Sequence, residues 1–73
     1  MNVIVVGAGH MGRGLARRLD RQGHDVTVVD RDAEELEELG EDFSGTRVLG
    51  VGFDRAVLAE AGVDRASAVI ACT

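Results

Sequence analysis

Lysine, tyrosine and tryptophan are absent from this 73-residue sequence, and cysteine occurs once, as Cys72. Without lysine there is no Walker-type phosphate lysine, no Schiff base and no Tyr/Lys proton relay. The aromatic set is two Phe and the formal net charge is −5, whereas a nucleic-acid surface needs a basic footprint and usually stacking rings. A single cysteine cannot close an internal disulfide, and no Cys/His cluster has zinc spacing. Cys72 lies in the apolar run Ala68–Thr73, where a small buried thiol is expected. Long hydrophobic stretches are also missing. Met1–Val6 is too short to span a membrane and lacks the positive region and cleavage site of a signal peptide, so the expectation is a cytoplasmic chain.

At this length a cofactor domain joined to a substrate domain is not expected, since one domain usually runs to about 100–150 residues. A chain of this size buries only roughly 60% of the surface it exposes when unfolded, so the core is marginal. At 45% hydrophobic residues it nonetheless folds rather than remaining disordered.

What is present alternates between two periods. Val3–Val6 is a β-branched run stopped by Gly7, as a strand buried on both faces reads. From His10 to Gln22, Met11, Leu15 and Leu19 recur every fourth residue with Ala16 beside them, which predicts one helical stripe ended by Gly23. Val26–Val29 is a second strand closing on Asp30. Asp32 and Glu35 form a capping-box pattern before a short acidic helix through Leu36 and Leu39 that stops at Gly40. Its glutamates (Glu34, Glu35, Glu37, Glu38) read as a solvated face. Arg47–Leu49 is a weak third strand, Asp54 caps a third helix containing Val57, Leu58 and Ala61 before Gly62, and Ala68–Thr73 is a fourth strand. The pattern is βαβαβαβ: an α/β, Rossmann-like parallel sheet over residues 1–73, with one half of a doubly wound fold and the opening of the next. The expected domain is therefore incomplete at its C-terminal side, and the fourth strand is expected to present an apolar edge, so that the isolated chain self-associates through it or is poorly soluble.

One motif carries a mechanism. Gly7-Ala8-Gly9-His10-Met11-Gly12 joins a β-branched strand to an amphipathic helix, and the acid Asp30 ends the following strand. That context is what a dinucleotide fingerprint requires. Gly7 permits the tight turn, Gly9 leaves room for a pyrophosphate against the backbone, and Gly12 lets the helix lie close on the sheet. Free N–H groups at the helix start then bind phosphate. Asp30 is expected to accept from the ribose hydroxyls and to repel a 2′-phosphate, favouring NAD(H) over NADP(H); Arg31 beside it works in the opposite sense.

The lone residues add less. His10 is expected to point to solvent beside the ligand, and His24 has no assigned role. Gly14 weakens the first helix and suggests close packing on a neighbour. Thr73, at the carboxyl end of the fourth strand, lies on the side where open α/β sheets bind ligands.

Over all 73 residues the sequence resembles the N-terminal nucleotide-binding domain (RCK/KTN, TrkA-N) of potassium-transport regulatory proteins. The resemblance runs through Val3–Arg13, then Gly23–Asp32, and is most specific in Leu58–Thr73, a continuation that generic dehydrogenases do not share. It implies a regulatory domain that is not an enzyme. Such a domain binds NAD(H), or in some members ATP or ADP, and controls a membrane potassium channel or transporter. It implies a homo-oligomer at the inner face of the plasma membrane, held there by its partner, without inserting and without binding nucleic acid. By position, the resemblance places Gly7, Gly9, His10, Met11 and Gly12 in the ligand loop, Asp30 at the ribose and Thr73 by the nucleotide. It also marks a departure: Val51 stands where the family usually has an aspartate near the adenosine, with Phe53 available as an apolar wall or as core. The alternative is the cofactor half of an NAD(P)-dependent dehydrogenase or reductase, because the same glycine opening occurs in imine- and acid-reducing enzymes.

Overall fold

Four β-branched or apolar runs become four parallel strands in the computed structural model, which describes residues 1–52 and 54–72. In chain order these are β1 (Asn2–Val6), α1 (His10–Arg21), β2 (Asp25–Asp30), α2 (Ala33–Glu37), β3 (Thr46–Leu49), α3 (Arg55–Ala61), a 3₁₀ turn (Val63–Arg65) and β4 (Ala68–Ala71). The sheet order is β3-β2-β1-β4, and every pairing is parallel, with Val5 facing Val28 on one side and Ile70 on the other. The expected α/β architecture is therefore present, and the 3₁₀ turn before β4 is an addition to it.

Alternation along the strands divides the core in two. Val3, Val5, Val26 and Val28 pack with Ala16, Leu36, Leu39 and Phe43 beneath α1 and α2. Ile4, Val6, Val29 and Val48 face the opposite way, against Val57, Ala61 and Ala66. Both faces of β1 are covered, which is why its apolar run is unbroken. β4 differs: Ala68 and Ile70 are half-buried, while Val69 is 49% exposed on the other face. Cys72 is half-buried against the first cluster rather than enclosed in it.

The expected α1 stripe needs one correction. Gly12 and Ala16 are the buried residues of this helix, Leu15 and Leu19 flank them, and Met11 is 74% exposed. Met11 belongs to the first turn, beside the loop, and is part of neither core cluster among the described residues. Gly14 is also exposed, and a Cβ there would meet nothing within 4 Å, so it marks no close packing among the described residues.

The caps follow the sequence more closely. The Asp54 side chain accepts from the amides of Ala56 at 2.8 Å and Val57 at 3.4 Å, and Gly62 closes α3 at φ 86°. Asp32 caps α2 through the Glu34 amide at 3.0 Å, but Glu35 does not complete the box. It turns instead to Arg13.

Candidate functional site

The β1–α1 turn is built by three glycines with three different duties. Gly7 has φ 108°, a left-handed conformation that favours glycine, and its N–H extends the ladder to the Val29 carbonyl at 2.8 Å. Gly9 is extended (φ −68°, ψ −172°) and precedes α1, with no side chain capping the helix and no acid in its first turn. A Cβ on Gly9 would meet nothing within 4 Å, so no packing contact among the described residues demands glycine there. Gly12 is the reverse: its Cβ would overlap the Gly7 carbonyl oxygen and lie 2.9 Å from the Gly7 carbonyl carbon and 3.5 Å from Cys72 Cβ. Its closest approach is to the turn itself more than to the sheet expected from sequence.

The uncapped start of a twelve-residue helix presents amide donors and a positive field to whatever lies beyond Gly9. His10 and Met11 occupy the first two helical positions and are exposed. Ala8 is buried within the turn.

Asp30 is more committed than a free ribose acceptor. One carboxylate oxygen accepts from the Ala8 amide at 2.7 Å and the other from the Asp32 amide at 2.8 Å. Each oxygen keeps a second lone pair, so the group can still accept from a ligand. It ties the end of β2 to the glycine turn at the same time.

Asp30 and Arg31 also line a cleft of about 290 Å³ at the carboxyl end of the sheet, together with Val6, Gly7, Val29, Val51 and Gly52. A Cβ on Gly52 would overlap the Val6 side chain, so glycine here lets the loop after β3 close over β1. A cavity of about 320 Å³ lies at the other end of the strands, lined by Asn2, Asp25, Thr27, Thr46 and Arg65 among others. It is remote from the glycine turn. The chemistry therefore gathers in the smaller, carboxyl-end cleft.

Of the residues expected at the site, Gly7, Asp30 and Arg31 come together in that cleft, and Ala8, Gly9, His10, Met11 and Gly12 form the adjoining turn and helix start. Thr73 and Phe53 lie outside the described residues. Sequence reasoning missed Arg13 and Glu35. Arg13 Nη1 donates to the Ala8 carbonyl at 3.2 Å and to Glu35 at 2.8 Å. A signal existed: a cation in the first turn of a helix opposes the helix field and calls for a partner. Among the described residues no group of three or more His, Cys, Asp or Glu is placed to hold a metal, and no helix is long and apolar enough to cross a membrane.

The model of the TrkA-N domain matches residues 3–73, nearly the whole chain. The chain belongs to the TrkA-N domain family. A Trk system potassium uptake protein TrkA of Streptomyces coelicolor is 45% identical over 71 residues, covering 97% of this chain and 32% of that protein. The protein of the same description from Halomonas elongata is 42% identical over all 73 residues, which are 16% of its length. A TrkA homolog of Pyrococcus horikoshii is 36% identical over 73 residues, 32% of its length. This TrkA-N chain thus spans a third or less of each of these relatives. The matched segment contains the glycine turn, Asp30 and the cleft.

Proposed function

We propose that this TrkA-N chain binds NAD(H) as the nucleotide-sensing part of a regulatory protein of potassium transport. The observation that carries the reading is the open space over Gly9 at an uncapped helix start, beside a cleft that ends on Asp30. A diphosphate takes the α1 amides, Asp30 accepts from the adenosine ribose, and the exposed Val51 offers an apolar contact to the base. The negative charge of Asp30 disfavours a 2′-phosphate, while Arg31 on the rim tempers that preference. ATP and ADP share the ribose and phosphate chemistry and compete for the same place.

Binding here serves regulation and not hydride transfer. Support comes from the relatives, which are named as potassium uptake proteins. The partner is a membrane potassium transporter or channel subunit, and the regulatory protein works as a homo-oligomer at the cytoplasmic face of the plasma membrane.

Calorimetric titration of the folded chain with NADH, NADPH, ATP and ADP tests the reading. NADH is expected to bind most tightly, with NADPH at least about tenfold weaker, since one unfavourable charge contact of about 1.4 kcal/mol is a factor of ten. No heat from any of the four overturns it.

A further inference from the structure

We infer that Arg13 and Glu35 are positioning residues that hold the phosphate-binding turn in its ligand-ready shape. The inference rests on the reading of that turn given above. Ala8 stands between two glycines, whose backbone torsions are the softest in the chain. Both polar ends of Ala8 are nonetheless fixed. Its N–H donates to Asp30 at the end of β2, and its carbonyl accepts from Arg13, which is held by Glu35 on α2. The turn is therefore clamped from two elements, and the α1 amides beyond Gly9 keep one direction before any ligand arrives. Donors aimed in advance bind an anion without the cost of ordering them.

Arg13 has an obvious alternative use as a direct phosphate ligand. Its Nη1, however, is divided between the Ala8 carbonyl and the Glu35 carboxylate, and the ion pair is partly sheltered, at 24% and 39% side-chain exposure. The two roles predict opposite signs for one substitution. Glu35→Ala removes a negative charge near a site for an anionic ligand, and Coulomb's law alone then tightens binding. Loss of the clamp weakens it.

The experiment measures NADH affinity of the chain and of Glu35→Ala, Glu35→Gln, Arg13→Met and Glu37→Ala, at a temperature where circular dichroism shows each to be folded. Glu37 is exposed on the same helix and carries the same charge, so Glu37→Ala is the electrostatic control. Glu35→Ala and Arg13→Met are expected to bind roughly three- to tenfold more weakly, which is the net worth of about one ordinary hydrogen bond. Glu35→Gln, which keeps an acceptor, recovers most of the affinity, and Glu37→Ala is no weaker than the parent. Amide hydrogen exchange of Gly9 and Met11 without ligand gives a second reading: faster in Glu35→Ala and Arg13→Met, unchanged in Glu37→Ala. If the parent chain takes up no NADH, the nucleotide reading fails and the exchange rates alone decide the clamp. Affinity in Glu35→Ala equal to or above the parent's, or exchange unchanged in both clamp variants, overturns the inference.

Discussion

Gly9 and Gly12 separate the two reasons a residue can be glycine. A methyl at Gly12 runs into the Gly7 carbonyl, so Gly12→Ala should lose about 1–3 kcal/mol of stability in urea denaturation, the usual cost of overpacking. A methyl at Gly9 meets nothing within 4 Å among the described residues, and its extended backbone suits any residue, so Gly9→Ala should fold with a stability change within about 0.5 kcal/mol. The same variant should lose NADH binding, because the methyl stands where the diphosphate approaches. Asp30→Asn tests the other half of the site. An amide has one acceptor oxygen, while two backbone amides now donate to Asp30; one would face the Asn NH₂, at about 1–3 kcal/mol of stability. Spacing in the sequence singles out the three glycines and the acid, because a tight turn after one strand and an acid closing the next are local patterns. The Ala8 amide as a partner of Asp30, and Glu35 as a partner of Arg13, are choices made across 22 residues by the packed chain. No local pattern records them, and Glu35 locally mimics the second half of a capping box.

At the scale of elements, α1 carries an unneeded weakness. Gly14 is exposed and a Cβ there would meet nothing within 4 Å among the described residues, so Gly14→Ala should add about 1 kcal/mol and raise the melting temperature by about 4–8 °C. Helix α2 has only five residues and depends on its neighbours. Arg47 on β3 donates to the Leu36 carbonyl at 3.0 Å and the Gly40 carbonyl at 2.6 Å, and stacks over Phe43 with its guanidinium carbon 5.3 Å from the ring centroid. A second tie joins α1 to the loop before β3. The Ser44 hydroxyl and amide both donate to Asp20, and these bonds hold its carboxyl below the ordinary aspartate value. With the folded value depressed, the contribution of this tie is complete above the ordinary aspartate range and is lost as pH falls through the folded value. Ser44→Ala should return the Asp20 carboxyl toward its ordinary value in a carbon-detected NMR titration and flatten that acid-side loss of stability. Caps such as Asp54 and Gly62 were legible because each acts within one turn. The exposure of Met11 was not, because a four-residue repeat shows that a stripe exists without showing where the strands beneath it end.

At the scale of the molecule, sheet order decides where a ligand can lie. With β3-β2-β1-β4, the chain direction of winding reverses between β1 and β4, and in open α/β sheets the crevice at such a reversal is the binding place. The glycine turn leaves β1 at that point, and Cys72 at the end of β4 donates its amide to the Val6 carbonyl at 2.8 Å. Strand runs and alternating helices were enough to foresee a parallel sheet, and the resemblance in Leu58–Thr73 foresaw the family. The cleft itself was not legible, since Gly52 closing over Val6 joins residues from β1 and the β3–α3 loop. The central claim is that the start of α1 and the adjoining cleft hold the dinucleotide. An amide NMR titration with NADH tests it most directly. The account predicts the largest shifts at Gly9, His10, Met11 and Gly12, smaller ones at Arg31 and Gly52, and none at Asn2, Thr27 or Thr46 around the opposite cavity. Shifts centred on that opposite end, or a turn that does not respond at saturating NADH, would contradict it.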